Sequence, residues 1–151
     1  MVNAPNLDGF ASPSPPEHPP WNNRSPRLRV LVVEDNADSA NTLAMVVQLD
    51  GHEVEVAYDG LKAVEAGRRF RPDVILLDIG LPGLDGWQVA STLLGETPTS
   101  EKKPLVVAIS GRGAEDDYER SAEAGILLHV TKPANLDKLL GLLRRFRSVV
   151  N

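Results

Sequence analysis

The chain contains no cysteine. That one absence excludes a disulfide framework, a thiolate zinc site and a cysteine nucleophile. Histidine is scarce as well: His18, His52 and His129 stand far apart, so a histidine metal cluster is disfavoured. No segment approaches the roughly 18 apolar residues of a membrane span, and the N-terminus lacks a basic start followed by an apolar run. A soluble, cytoplasmic protein without a membrane role is expected. Positive charge is short too. The formal net charge is −5. Asp8, Glu17 and Arg24 together contribute a single negative charge, so most of the deficit lies in residues 27–151 and autonomous nucleic-acid binding is disfavoured. Asn23-Arg24-Ser25 matches a glycosylation sequon, which carries little weight without a secretion signal.

Proline is abundant but unevenly spread. Of the 12 prolines, Pro5, Pro13, Pro15, Pro16, Pro19, Pro20 and Pro26 all fall before residue 27. Such a stretch has too little apolar surface to offset its ordering entropy, so residues 1–26 are read as a disordered, polyproline-leaning tail. Pro13-Ser14-Pro15-Pro16 has a PxxP-like form that composition alone can generate. The remaining stretch of about 125 residues has the common size of one domain, and a second folded domain is excluded.

Within residues 27–151, three apolar runs lack polar alternation: Leu28 to Val33, Val74 to Leu77 and Leu105 to Ile109. This is the pattern of parallel strands covered on both faces. Glu53 to Ala57 alternates and reads as an edge strand, and Ile126 to Val130 completes a set of five. Helical patterns lie between them. Ala40, Leu43, Ala44 and Val47 share one face, with Asn36 or Asp38 available as cap and Gly51 as terminator. Leu136, Leu139, Leu140 and Leu143 repeat the pattern, opened by Asn135 and closed by a basic turn of Arg144, Arg145 and Arg147. Weaker helices are expected at about 60–70, 86–94 and 115–124. Five β-α units with right-handed crossovers make an α/β fold, a doubly wound parallel sheet with helices on both faces.

In such a sheet, ligands bind outside the carboxyl ends of the strands. Read at those ends, the sequence supplies Glu34-Asp35, Asp78, Ser110 and, after Thr131, Lys132-Pro133. Three carboxylates in one cleft repel each other and require compensation. An all-oxygen set without His or Cys suits a hard divalent cation, and few protein ligands with several retained waters suit Mg²⁺ better than Ca²⁺. A carboxylate can act as nucleophile towards phosphorus, a reaction that needs mainly positioning and charge neutralisation. Asp78, central and followed by a turn-rich segment, is the best-placed nucleophile. Glu34 and Asp35 would hold the metal, while Lys132 and the Ser110 hydroxyl would bind phosphoryl oxygens. Each of these residues alone could be an ordinary turn, cap or surface residue. Their coincidence at four strand ends on one edge is what favours chemistry.

The segments VVEDN at 32–36, LLDIGLPGLDG at 76–86, AISG at 108–111 and VTKP at 130–133 also carry a resemblance. In this order and spacing they resemble the receiver domain of bacterial two-component response regulators, over about residues 28–148. The resemblance implies a flavodoxin-like sheet in the order 2-1-3-4-5, Mg²⁺ dependence, and phosphoryl transfer to Asp78 from a histidine kinase or histidine phosphotransfer protein. It further implies that the Gly80 carbonyl is a metal ligand, that the Lys132-Pro133 peptide is cis, and that Ser110 takes part in switching. His129 departs from the pattern, since receivers usually place Tyr or Phe three residues before the lysine. It is either a switching ring or a partly buried histidine without that role. Gly80 and Arg112 occupy positions that in this family affect the lifetime of the acyl phosphate.

Alternative functions fit less well. A haloacid-dehalogenase-like aspartate phosphatase places a second Asp two residues after the nucleophile, where this chain has Gly80. A flavin site needs a phosphate cradle after the first strand, where Glu34-Asp35 would repel phosphate. A non-phosphorylated receiver-like scaffold would not need the intact acidic set. Trp87 is read as packing at the sheet edge, and Glu115-Asp116-Asp117 before Tyr118 as a helix N-terminal turn. After Lys132 only 19 residues remain, enough for one helix. Output is therefore expected to pass through a partner protein, from either a single-domain regulator or a hybrid-kinase receiver.

Overall fold

A computed structural model of the protein describes residues 27–81, 85–111 and 115–150. The Pro-rich tail, Arg112 and the Tyr118 side chain lie outside the described residues. Among the described residues five strands alternate with five helices: β1 (Arg29–Val33), α1 (Ala37–Leu49), β2 (Glu53–Ala57), α2 (Gly60–Phe70), β3 (Val74–Asp78), α3 (Gly86–Glu96), β4 (Leu105–Ser110), α4 (Glu115–Glu123), β5 (Leu128–Thr131) and α5 (Leu136–Val150). The strands form one parallel sheet in the order β2-β1-β3-β4-β5. Among the described residues no helix is long and apolar enough to cross a membrane.

Side-chain alternation explains why the central strands are apolar at every position. Leu31, Val33, Ile75, Leu77, Val106 and Ala108 pack with Ala63, Phe70, Val89 and Leu93 on the face covered by α2, α3 and the end of α4. Val30, Val32, Val74, Leu76, Val107 and Ile109 face the other way, onto Ala40 and Val47 of α1 and Leu139 and Leu143 of α5. Both faces of β1, β3 and β4 are thus in core, so their central positions are apolar and the buried polar residues, Asp78 and Ser110, come only at the carboxyl ends of β3 and β4.

Helix boundaries follow local chemistry. Asn36, not Asp38, caps α1: its Oδ1 accepts from Ser39 N at 2.9 Å. The helix ends at Gly51, whose φ of 99° lets Gly51 N donate to Gln48 O at 3.0 Å and His52 N to Val47 O at 3.4 Å. Gly125, at φ 90°, ends α4 in the same way, with Gly125 N on Ala122 O at 3.1 Å and Ile126 N on Ser121 O at 2.8 Å.

Two expectations are corrected. The fifth strand runs Leu128–Thr131, not Ile126 to Val130. Ile126 is apolar because it anchors the end of α4 in the core, while Leu127 is exposed and only Leu128 onward pairs with β4. The final helix continues to Val150, so Arg144 and Arg145 lie within it and only Arg147 falls in its last turn. Arg144 instead fastens α5 to the end of α1, donating to Asp50 Oδ1 at 2.7 Å.

Candidate functional site

The carboxyl ends of β1 and β3 are neighbours in the sheet, and the chain turns immediately after each. Glu34 and Asp35 follow Val33, and Asp78 is the last residue of β3. One carboxylate oxygen from each of Glu34, Asp35 and Asp78 lies within 4.8 Å of the others. Glu34 and Asp78 are buried, whereas Asp35 is exposed and gives the cluster an open side.

Lys132 enters from the far side of the sheet. Its position is set by backbone pairing, because Lys132 N donates to Ser110 O at 2.6 Å and Thr131 pairs with Ser110 in the β4–β5 ladder. The Lys132-Pro133 peptide is cis. From there Nζ reaches Asp78 Oδ2 at 3.0 Å and Glu34 Oε2 at 3.3 Å. Asp78 Oδ1 accepts from Gly80 N at 3.0 Å, and Glu34 Oε1 accepts from Asn36 N at 3.3 Å. Ser110 ends β4 one residue beyond Ile109, which pairs with Asp78, and it is buried.

Among the described residues three carboxylates gather here while one ammonium, Lys132, contacts two of them, so negative charge is in surplus. Burial, and then the adjacent Asp78 carboxylate, push the Glu34 carboxyl up to about 7 against the opposing pull of Lys132. Partial burial works against the Lys132 charge, but Asp78 and Glu34 outweigh it and hold the ammonium above its usual range. The donor set fits a hard divalent cation: all ligand atoms are oxygen, charge is uncompensated, and one side is open for water ligands.

The structure brings together Glu34, Asp35, Asp78 and Lys132, with Gly80 joined through its N–H and Ser110 through its carbonyl. A side chain at position 80 would meet Asp78 Oδ1 only at ordinary contact distance, 3.8 Å. His129 is half-buried on β5 opposite Ala108 and lines a groove with Val130, Pro133 and Leu142. Sequence reasoning missed that Lys132 bridges two carboxylates, because Glu34 lies 98 positions away. It also missed the surroundings of Trp87. The indole is partly buried, not at the sheet edge but between α3 and α4, where Nε1 donates to Ser121 Oγ at 3.1 Å.

Comparison with known proteins points to one family and one fold. The family model of the response regulator receiver domain matches residues 30–144. The transcriptional regulatory protein PrrA of Mycobacterium tuberculosis is 37% identical over 121 residues, covering 78% of this chain and 50% of PrrA. Response regulator MprA of the same species is 32% identical over 117 residues, covering 78% of this chain and 49% of MprA. The chain thus spans about half the length of the curated relatives it matches. Among solved structures, the N-terminal domain of an uncharacterized protein from Wolinella succinogenes is 29% identical with a TM-score of 0.73, over 81% of this chain and 95% of that one. The receiver domain of Francisella response regulator 1452 shares the fold at 22% identity and a TM-score of 0.73, over 83% and 100% of the two chains.

Proposed function

Because the chain belongs to the response regulator receiver domain family of two-component signalling, we propose that Asp78 is its phosphoacceptor and residues 27–151 its working unit. The observation that carries the reading is the meeting of Asp78 with two further carboxylates within 4.8 Å and with Lys132 Nζ at 3.0 Å. The donor is a histidine kinase or histidine phosphotransfer protein. The P–N bond of its phosphohistidine breaks as an Asp78 carboxylate oxygen forms the new O–P bond, and the electron pair returns to the imidazole nitrogen. Reversal by hydrolysis consumes one water and returns the carboxylate and inorganic phosphate, so the domain behaves as a switch rather than a turnover enzyme.

Glu34, Asp35, Asp78 and the Gly80 carbonyl would hold Mg²⁺, which when bound supplies charge neutralisation for the phosphoryl oxygens. Lys132 sits on Asp78 Oδ2 and is placed to follow a phosphoryl oxygen there; Ser110 offers its hydroxyl to another. His129, half-buried on β5, would be the ring that switches with Ser110. An unchanged His129 ring resonance between free and phosphorylated protein removes it from the switch. The setting is cytoplasmic, and the output passes to a partner protein. Nucleic-acid binding is not assigned to this domain, whose charge is negative. The name of PrrA speaks of transcription for that longer protein.

The test is intact-mass measurement after incubation with acetyl phosphate or phosphoramidate and Mg²⁺. The expected result is a gain of one phosphoryl group, lost in Asp78→Asn and retained when residues 1–26 are deleted. No gain in the wild type, or a gain that persists in Asp78→Asn, overturns the reading.

A further inference from the structure

The first turn of α3 is seated on the backbone of the acidic residue itself. A Cβ at Gly86 would lie 2.8 Å from the carbonyl oxygen of Asp78 and 2.8 Å from Cα of Ile79, so only glycine fits. Gly86 N donates to Ile79 O at 3.3 Å. Asp85 caps the same turn reciprocally: its Oδ1 accepts from Gln88 N at 2.9 Å while Asp85 N donates to Gln88 Oε1 at 3.0 Å. Trp87 therefore projects from a turn locked to Asp78.

The Trp87 side chain grips α4 at two adjacent residues. Its Nε1 donates to the Oγ of Ser121, which is buried, and the Arg120 guanidinium carbon lies 3.9 Å from the ring centroid. Arg120 also lies 4.0 Å from Asp85 Oδ2. Ser121 is itself fixed, because its carbonyl accepts from Ile126 N at the glycine-terminated end of α4. The helix thus follows β4, whose last residue is Ser110, at its leading end, and is held to the Asp78 turn at its trailing half.

We propose that Trp87 is a positioning residue of the Asp78 switch, a fixed post that holds α4 in its resting place through Ser121 and Arg120. This rests on Asp78 being the phosphoacceptor with Ser110 drawn towards the modified side chain. Drawing Ser110 in moves the start of α4 while its trailing half is tethered to a turn that cannot follow. The Trp87 contacts then oppose the modified state, and loosening them favours it.

The test uses the full chain with Trp21→Phe, leaving Trp87 as the single tryptophan, and beryllofluoride with Mg²⁺ as a phosphoryl mimic. Binding is read by ¹⁹F NMR and Trp87 by its emission. Saturation is expected to shift Trp87 emission as Ser121 and Arg120 leave the ring. In the wild-type background, Trp87→Phe, which keeps a ring but lacks the N–H, is expected to bind the mimic about 3- to 10-fold more tightly. Ser121→Ala is expected to do the same, and the double variant to gain little more, since both remove one contact. A purely structural role predicts the opposite, a lower Tm with unchanged or weaker binding. Bound mimic with unmoved Trp87 emission, or unchanged affinity in both variants, overturns the inference while leaving Asp78 as acceptor. Absence of any binding that depends on Asp78 overturns the reading of the acceptor, and this inference with it.

Discussion

At the carboxyl end of the sheet Glu34 and Asp78, with Asp35 close by, share Lys132; at the opposite end Asp50 is shared between Arg144 and His52. Both clusters include buried titratable groups, but their balance differs. Asp50 lies 3.4 Å from His52 Nε2 and 2.7 Å from Arg144, so one carboxylate meets a full cation and a ring that need not be charged. Burial holds the His52 ring below the usual histidine range, against the attraction of Asp50 and with the help of Arg147 and Arg144. This end can be neutral on its own, and serves to fasten α1 to α5. Among the described residues, the other end cannot be neutral without a protonated acid or a cation from outside. Surplus charge in a buried place, maintained against its own cost, separates a site for chemistry from a structural tie.

Removing parts of each cluster should widen that contrast. Asp78→Asn is expected to abolish phosphoryl uptake altogether, as read by intact mass. Lys132→Ala is expected to slow uptake from acetyl phosphate by about 10²-fold or more, since it takes away the fixed cation beside the reacting oxygen. Stopped-flow or timed intact-mass assays check this, and a rate within a few-fold of wild type would contradict the role of Lys132.

Titration should move the two ends in opposite directions. The Glu34 carboxyl is raised from 4.5 to about 7 in the folded protein. Its contribution is therefore complete below 4.5 and is lost as pH rises through about 7, a decline on the order of 1–3 kcal/mol. Urea unfolding between pH 5 and 8 should show this decline without Mg²⁺, little of it with Mg²⁺, and little in Glu34→Gln. A metal-independent slope would contradict the cation site. His52 is lowered in the fold, so its contribution is present above the ordinary 6.5 and is lost as pH falls below it. His52→Gln should remove that acid-side loss without changing phosphoryl uptake. Smallest of all, Arg144→Ala should cost about 0.5–1 kcal/mol of stability, because the guanidinium is largely exposed, and again leave uptake unchanged.

Much of the fold is readable in the residues because β1, β3 and β4 are buried on both faces, which forces unbroken apolar runs. Ile126 shows where that logic fails: an apolar residue can be a helix-end anchor as well as a strand residue, and only the positive φ at Gly125 decides. The acid and lysine positions are readable because chain direction alone brings strand ends to one edge. The Lys132 bridge to Glu34, the burial of His52 and the grip of Trp87 on Ser121 are not readable in that way. Each depends on how two distant elements pack, and no local periodicity records it.

The surplus of carboxylates around Lys132 also bears on what the domain ignores. Lys132 Nζ is already engaged by Asp78 and Glu34, so among the described residues a lone sulfate, chloride or free phosphate meets net repulsion from the acids and an ammonium already in use. An anion at Asp78 would need to arrive together with, or after, a cation. With Asp78 as the proposed acceptor, background salts would thereby be kept from mimicking the signal, and the cluster that serves the proposed transfer would also keep it quiet between events.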